Sequence, residues 1–272
     1  MASHGNGSNY DEHASRDSVT GSRRAGVASG TLRTKGLTRM RDPKFFRQYD
    51  YDRSLLPNAH LRELDDVANL TEAKEKTGWS IGYPGWGLLY YLVMTNLDPE
   101  AENIIIETGT NVGSSTIMLA QALIDSKTQG HLHTFEIDQT FHDRATNNLA
   151  HAGVSGVVTQ YLGDAKKLLP PKLADLGEIR VAFLDGSHLV VDVLEEFAAV
   201  HKKLARNGLV IFDNTYLIAD EDEDQRVHGA LATLMSQYGG NLINLPSVSW
   251  YTPGVAIWQQ HPFDERWDGL AP

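Results

Sequence analysis

The sequence predicts an open, doubly wound α/β sheet, and three observations predict it. From Ile104 onward, short apolar runs alternate with segments of helical period. Two of the runs, Val181-Ala182-Phe183-Leu184 and Leu209-Val210-Ile211-Phe212, stop at oxygen-bearing side chains, Asp185 after the first and Asp213-Asn214 after the second. The first run of the series leads into a glycine-bearing turn, Gly109 to Gly113, that opens a helix. Open α/β sheets bind ligands outside the carboxyl ends of their strands, so residues gathered there are site candidates.

Taken in order, residues 1 to about 40 are rich in Ser, Gly, Asn and Arg and nearly lack large apolar side chains, so burial cannot offset their ordering entropy. They are expected to form a disordered, locally basic tail, solvated or folded over the acidic body. Residues 41–77 are mixed and charged and predict an accessory segment, with a helix around Leu61 to Lys76 packed outside the sheet. The main domain is expected over 78–272. It begins with aromatics among breakers, Gly78 to Trp86, ahead of an apolar helix from Gly87 to Met94. Trp79 and Trp86 fit two roles equally, lining a small-molecule pocket or packing the helix on the sheet.

After Pro99, strands are predicted at Ile104–Glu107, His131–Glu136, Val157–Leu162, Arg180–Leu184 and Leu209–Phe212. Helices are predicted at Ser114–Ile124, Phe141–Ala152 and Val190–Arg206, the last carrying Val190, Val193, Leu194, Phe197, Val200 and Leu204 on one face. Strand, helix, strand is a crossover unit, which makes flanking strands parallel and brings their carboxyl ends to one edge. A helix at Val227–Tyr238 and short strands at Asn241–Leu245 and Gly254–Gln259, with Pro246 between them, predict a closing hairpin with a reversed edge strand. The acidic run Asp220 to Asp224 reads as a solvated loop, and the alternating His131 and His133 as structural.

Composition excludes several classes. With 24 Lys plus Arg against 35 Asp plus Glu, the formal charge of −11 argues against phosphate-driven nucleic-acid binding. The chain has no cysteine, hence no thiolate metal site and no cysteine nucleophile. No apolar segment approaches the ~20 residues that span a bilayer, and the N-terminus lacks an apolar signal core. A soluble, cytoplasmic enzyme is expected, acting on a small molecule, with homo-oligomerisation left open.

The turn Glu107-Thr108-Gly109-Thr110-Asn111-Val112-Gly113-Ser114-Ser115 lacks the G-x-G-x-x-G spacing that seats a pyrophosphate. A turn opening with an acid suits a nucleoside ligand without phosphates, and S-adenosylmethionine is one. Glu107, Gly109, Thr110, Gly113 and Ser115 are the candidate contacts of this turn. Glu136, at the second strand end, is placed to accept both ribose hydroxyl protons, and Asp164, after the third, to accept from the adenine amino group. Each acid is equally a helix-capping type. Asp185, Asp213 and Asn214 form a hard, oxygen-donor set suited to a divalent cation such as Mg²⁺, with Asp185 also facing the cofactor.

With these residues in view, the stretch from about Gly78 to Gln259 resembles the class I S-adenosylmethionine-dependent methyltransferases, and within them the divalent-metal-dependent O-methyltransferases. Glu107 to Gly113 matches the family's acid-x-G-x-x-x-G turn, Glu136 its ribose acid, and Asp185, Asp213 and Asn214 the metal triad of the catechol and caffeoyl-coenzyme A enzymes. The resemblance implies seven strands, the last antiparallel. It departs at Asp185-Gly186-Ser187-His188, where catechol-type enzymes carry a lysine three residues after the Asp. Asp-Gly-x-His is closer to bacterial natural-product methyltransferases and cephalosporin-hydroxylase-like relatives. His188 is therefore a candidate general base, an imidazole being competent near neutral pH, or else a helix cap or orienting residue.

The resulting expectation is an O-methyltransferase for a small molecule with adjacent oxygen donors. Trp79, Tyr83, Trp86, Tyr216 and Trp250 are candidates for the acceptor wall. A hydroxylase-like or other metal-dependent enzyme on the same fold, and a noncatalytic nucleoside-binding protein, are the alternatives.

Overall fold

The computed structural model describes residues 52–82, 85–215, 226–245 and 254–260. The chain divides into a unit of Met1–Thr38, outside the described residues, and a unit of Arg39–Pro272. Also outside the description are Tyr83, Tyr216, Trp250, Pro246 and the run Asp220 to Asp224, so the readings placed on them stay expectations.

Helices α1 (Ala59–Leu64), α2 (Leu70–Thr77) and α3 (Gly85–Asn96) lead into strand β1 (Asn103–Thr108). Next come α4 (Ser114–Ser126), β2 (Gly130–Glu136), α5 (Gln139–His151), β3 (Val158–Leu162), α6 (Ala165–Asp175) and β4 (Ile179–Leu184). Finally α7 (Val190–His201), β5 (Leu204–Asp213), α8 (Arg226–Tyr238), β6 (Asn241–Leu245) and β7 (Val255–Gln259) complete the series. The seven strands lie in the order β3-β2-β1-β4-β5-β7-β6. The first five run parallel, and β7 is antiparallel to both of its neighbours. The predicted doubly wound sheet with a reversed last strand is therefore present. The reversed strand is interior, however, and β6 forms the edge.

Side-chain alternation explains why both faces are covered. On β1, Ile105 joins Val181, Phe183 and Ile211 under α3 and α4, while Ile104 and Ile106 join Ala182, Leu184 and Phe212 under α6, α7 and α8. Period-2 alternation with apolar residues on both sides demands helices on both faces. Leu56, Leu61 and Leu64 belong to the first of these cores, so the segment before α2 shares the core of the sheet.

Two boundaries differ from expectation. The single helix expected over Leu61 to Lys76 is two, because Asn69 caps a fresh start by accepting from Glu72 N at 3.1 Å. The helix expected to reach Arg206 ends at His201, and Leu204 pairs with Ile179 as the first residue of β5. Asn207 at φ 65° and Gly208 then bulge the strand before Leu209 pairs with Val181. Among the described residues no helix is long and apolar enough to cross a membrane.

Candidate active site

A cavity of about 480 Å³, within the range of small-molecule sites, opens at the carboxyl ends of β1 to β5. Its described walls include Gly109, Thr110, Ser115, Glu136, Asp164, Asp185, His188 and Asn214. Three other expected residues, Glu107, Gly113 and Asp213, stand behind that wall.

The turn after β1 is built around two close approaches. Gly109 has φ +82°, and a Cβ there would lie 2.1 Å from the carbonyl oxygen of Asp185. The ends of β1 and β4 are pinned together at this point by Asp185 N donating to Thr108 O at 3.1 Å. Gly109 N also donates to Phe135 O at 2.9 Å. Gly113, at φ +86°, begins α4 in the left-handed region that favours glycine. Glu107 is fully buried and accepts from the hydroxyls of Ser115 (2.7 Å), Thr116 (2.5 Å) and Thr134 (2.7 Å). Those donors explain why it braces the turn from behind instead of facing the cavity, and burial still pushes its carboxyl up to about 7.

Glu136 reaches the same turn from β2. Its Oε2 accepts from Asn111 N at 2.6 Å and its Oε1 from Asp138 N at 2.9 Å, leaving further lone pairs toward the cavity. Asp164 combines the two roles open to it: it caps α6 by accepting from Lys166 N at 3.1 Å, and it lines the cavity. The tryptophans divide the roles between them. Trp86 is fully buried and donates from Nε1 to Ser80 Oγ at 3.0 Å, packing α3. Trp79 is 38% exposed on the cavity wall.

At the other end the ends of β4 and β5 meet. Asn214 Nδ2 lies 2.9 Å from His188 Nε2 and 3.4 Å from Asp185 Oδ1, and His188 Nε2 lies 3.5 Å from the same Asp185 oxygen. His188 does not cap α7, whose start carries no side-chain cap. Asp213 is 2% exposed, and its Oδ1 is buried without a hydrogen-bond partner. Burial first, then the neighbouring Asp185 charge, push the Asp213 carboxyl well above the ordinary range. Asp185 is raised as well, by burial, against the opposing effects of His188 and Asn214. Two adjacent carboxylates, Asp185 on the cavity wall and Asp213 buried with an orphaned oxygen, fit a divalent cation, which would relieve both the repulsion and the missing partner. The third donor would be Asn214 Oδ1, presented by a half-turn of the amide. Among the described residues no group of three or more His, Cys, Asp or Glu side chains is arranged to hold a metal, so the set rests on two carboxylates and this amide.

Several wall residues escape a reading of the sequence. Asn111, at φ 49°, donates from Nδ2 to Gly78 O at 2.7 Å and fastens the loop of Trp79 to the turn after β1. Glu196 of α7 is 3% exposed, accepts from Thr108 Oγ1 at 2.7 Å, and is pushed by burial to about 7. Asp192 accepts from Lys166 Nζ at 2.6 Å and from Ser187 Oγ at 2.7 Å. The available signal is two acids four residues apart, Asp192 and Glu196, on the same helix face as Val193, Phe197 and Val200.

Residues 106–215 match a protein family described as a methyltransferase domain. A segment of 83 residues is 36% identical to the protein-L-isoaspartate O-methyltransferase of Staphylothermus marinus, covering 29% of this chain and 37% of that protein. The match thus spans little more than a third of that relative's length. Among solved structures, the O-methyltransferase TomG of Streptomyces achromogenes, involved in tomaymycin synthesis and solved with SAM, superposes with a TM-score of 0.61 at 24% identity. The superposition covers 79% of this chain and 92% of TomG. An O-methyltransferase from Bacillus cereus in complex with SAH gives 0.60 at 18% identity, over 79% and 93% of the two chains. At these identities the likeness establishes the fold.

Proposed function

With a methyltransferase domain on the α/β methyltransferase fold as the premise, we propose that this chain is an S-adenosylmethionine-dependent, divalent-metal-assisted O-methyltransferase of small molecules bearing adjacent oxygen donors. The observation that carries the reading is the layout of one cavity. Nucleoside-type acceptors, Glu136 and Asp164, stand at one end, and the cluster of Asp185, Asn214 and His188, backed by Asp213, stands at the other. The tail over 1–40, the accessory segment over 41–77 and the catalytic domain over 78–272 belong to the same proposal.

In this reading Glu136 holds the ribose hydroxyls, Asp164 the adenine amino group, and the backbone of the Gly109 to Gly113 turn the rest of the cofactor. Asp185, Asp213 and Asn214 hold the cation. When bound, the sulfonium supplies the methyl group and the cation supplies Lewis acidity that lowers the acceptor hydroxyl's pKa. His188 Nε2 takes the acceptor proton, for which its position 3.5 Å from Asp185 Oδ1 suits it. Trp79 contributes an aromatic side chain to the cavity wall. The remaining work is alignment, which a fixed turn and fixed strand ends supply.

Incubation with methyl-labelled S-adenosylmethionine, Mg²⁺ and a panel of catechols, vicinal diols and hydroxy acids tests the proposal. Label in an ether product is expected for at least one acceptor. Saturable cofactor binding with no methylated product from any of them would move the reading to other chemistry on this fold.

A further inference from the structure

We infer that Asp192 is a positioning residue that ties the nucleoside end of the cavity to the loop carrying Asp185 and His188, so that filling one end orders the other. The inference rests on the cofactor placement proposed above. Asp192 lies in the first turn of α7 and is 8% exposed. Its oxygens serve two partners on different loops. Oδ1 accepts from Lys166 Nζ at 2.6 Å, and Oδ2 accepts from Ser187 Oγ at 2.7 Å. Ser187 Oγ in turn accepts from Leu189 N at 3.3 Å, so it is held from both sides between Asp185 and His188.

The topology makes this bridge informative. Lys166 belongs to the loop and first turn after β3, where its own N–H is capped by Asp164, and Ser187 to the loop after β4. Strands β3 and β4 are separated by β2 and β1, so no ladder hydrogen bond joins their ends. The Lys166–Asp192–Ser187 chain crosses that gap along the cavity wall. Lys166 is about one-third exposed and Asp192 much less, so the pair is short, charge-assisted and partly shielded from water. A ligand resting on Asp164 and Ala165 restrains the first turn of α6, narrows the positions open to Lys166, and thereby steadies Asp192 and Ser187. Such coupling is reciprocal: ordering the loop of His188 tightens the nucleoside end by the same factor.

Hydrogen exchange read by mass spectrometry on the full chain, with and without saturating S-adenosylhomocysteine, tests this in wild type, Lys166→Met and Lys166→Arg. Calorimetry on each protein fixes the concentration that saturates it. In wild type the ligand is expected to slow exchange at the amides of Ser187 to Leu189 by about five-fold or more. Lys166→Arg should keep that slowing, and Lys166→Met should lose it while still binding the ligand. Equal slowing in Lys166→Met, or faster exchange by the same factor with and without ligand, would make Lys166 a structural prop and overturn the coupling. Wild type that binds S-adenosylhomocysteine without slowing at these amides would overturn it too, leaving the proposed function standing. Absence of binding in wild type would instead bring down the cofactor reading and this inference with it.

Discussion

Replacing Gly109 with Ala tests the join between the cofactor turn and the metal end. At φ +82° an L-residue is strained, by roughly 1 to 2 kcal/mol. The added Cβ would also lie 2.1 Å from the Asp185 carbonyl oxygen. That oxygen cannot swing aside freely, because Asp185 N is bonded to Thr108 O and Gly109 N to Phe135 O. Relieving such an overlap in a packed region costs about 1 to 3 kcal/mol. The two together give a loss of about 2 to 5 kcal/mol, which for a domain of this size lowers the melting temperature by roughly 5 to 15 °C. Gly153→Ala is the matched control: its φ is +73°, yet a Cβ there meets nothing within 4 Å. Thermal unfolding followed by circular dichroism should show Gly109→Ala well below Gly153→Ala, and calorimetry should show weakened S-adenosylmethionine binding in the former alone. Equal melting temperatures would refute the steric argument.

Three further outcomes are expected. Glu136→Ala should weaken S-adenosylmethionine binding by about 1 to 3 kcal/mol in calorimetry, the loss of a charged hydrogen-bond acceptor, and unchanged affinity would remove Glu136 from the cofactor site. His188→Ala should lose on the order of 10² to 10⁴-fold in turnover while keeping cofactor affinity; a mutant retaining most of its rate would leave His188 an orienting residue. Glu196 is raised from 4.5 to about 7, so its favourable contribution is full below its ordinary range and is lost as pH rises through about 7. Wild-type urea midpoints should therefore fall over that interval. In Glu196→Gln the fall should shrink by roughly 2 to 4 kcal/mol, Glu107, Asp185 and Asp213, whose carboxyls burial also raises, supplying what remains, and an unaltered slope would sink the assignment.

The strand ends were readable in the sequence because they follow from one-dimensional pattern. An apolar run that stops at Asp185 or Asp213 marks both the strand and its functional edge, and the crossover rule brings the two edges together. What was not readable depends on partners distant in the chain. That Glu107 faces inward is decided by the hydroxyls of Ser115, Thr116 and Thr134, which become its neighbours on folding. The end of α7 is not legible in the sequence because Leu204 continues the helix's apolar period, yet pairing with Ile179 claims it for β5. Asn111 carried no pattern at all, since its role is set by Gly78, whose Cβ would lie 2.0 Å from the Asn111 side chain. Asp192 and Glu196 did carry one, as buried acids on an apolar helix face.

In the proposed function, methyl transfer depends on a divalent cation held by Asp185, Asp213 and Asn214. The direct measurement is the initial rate of S-adenosylhomocysteine formation, with the acceptor that is turned over, in chelator-stripped protein titrated with Mg²⁺ or Mn²⁺, beside Asp213→Ala. The stripped protein should be inactive, and the rate should return saturably with metal. Asp213→Ala should stay inactive at all metal concentrations while folding and binding S-adenosylmethionine. Full turnover in excess chelator, or wild-type turnover in Asp213→Ala, would contradict it.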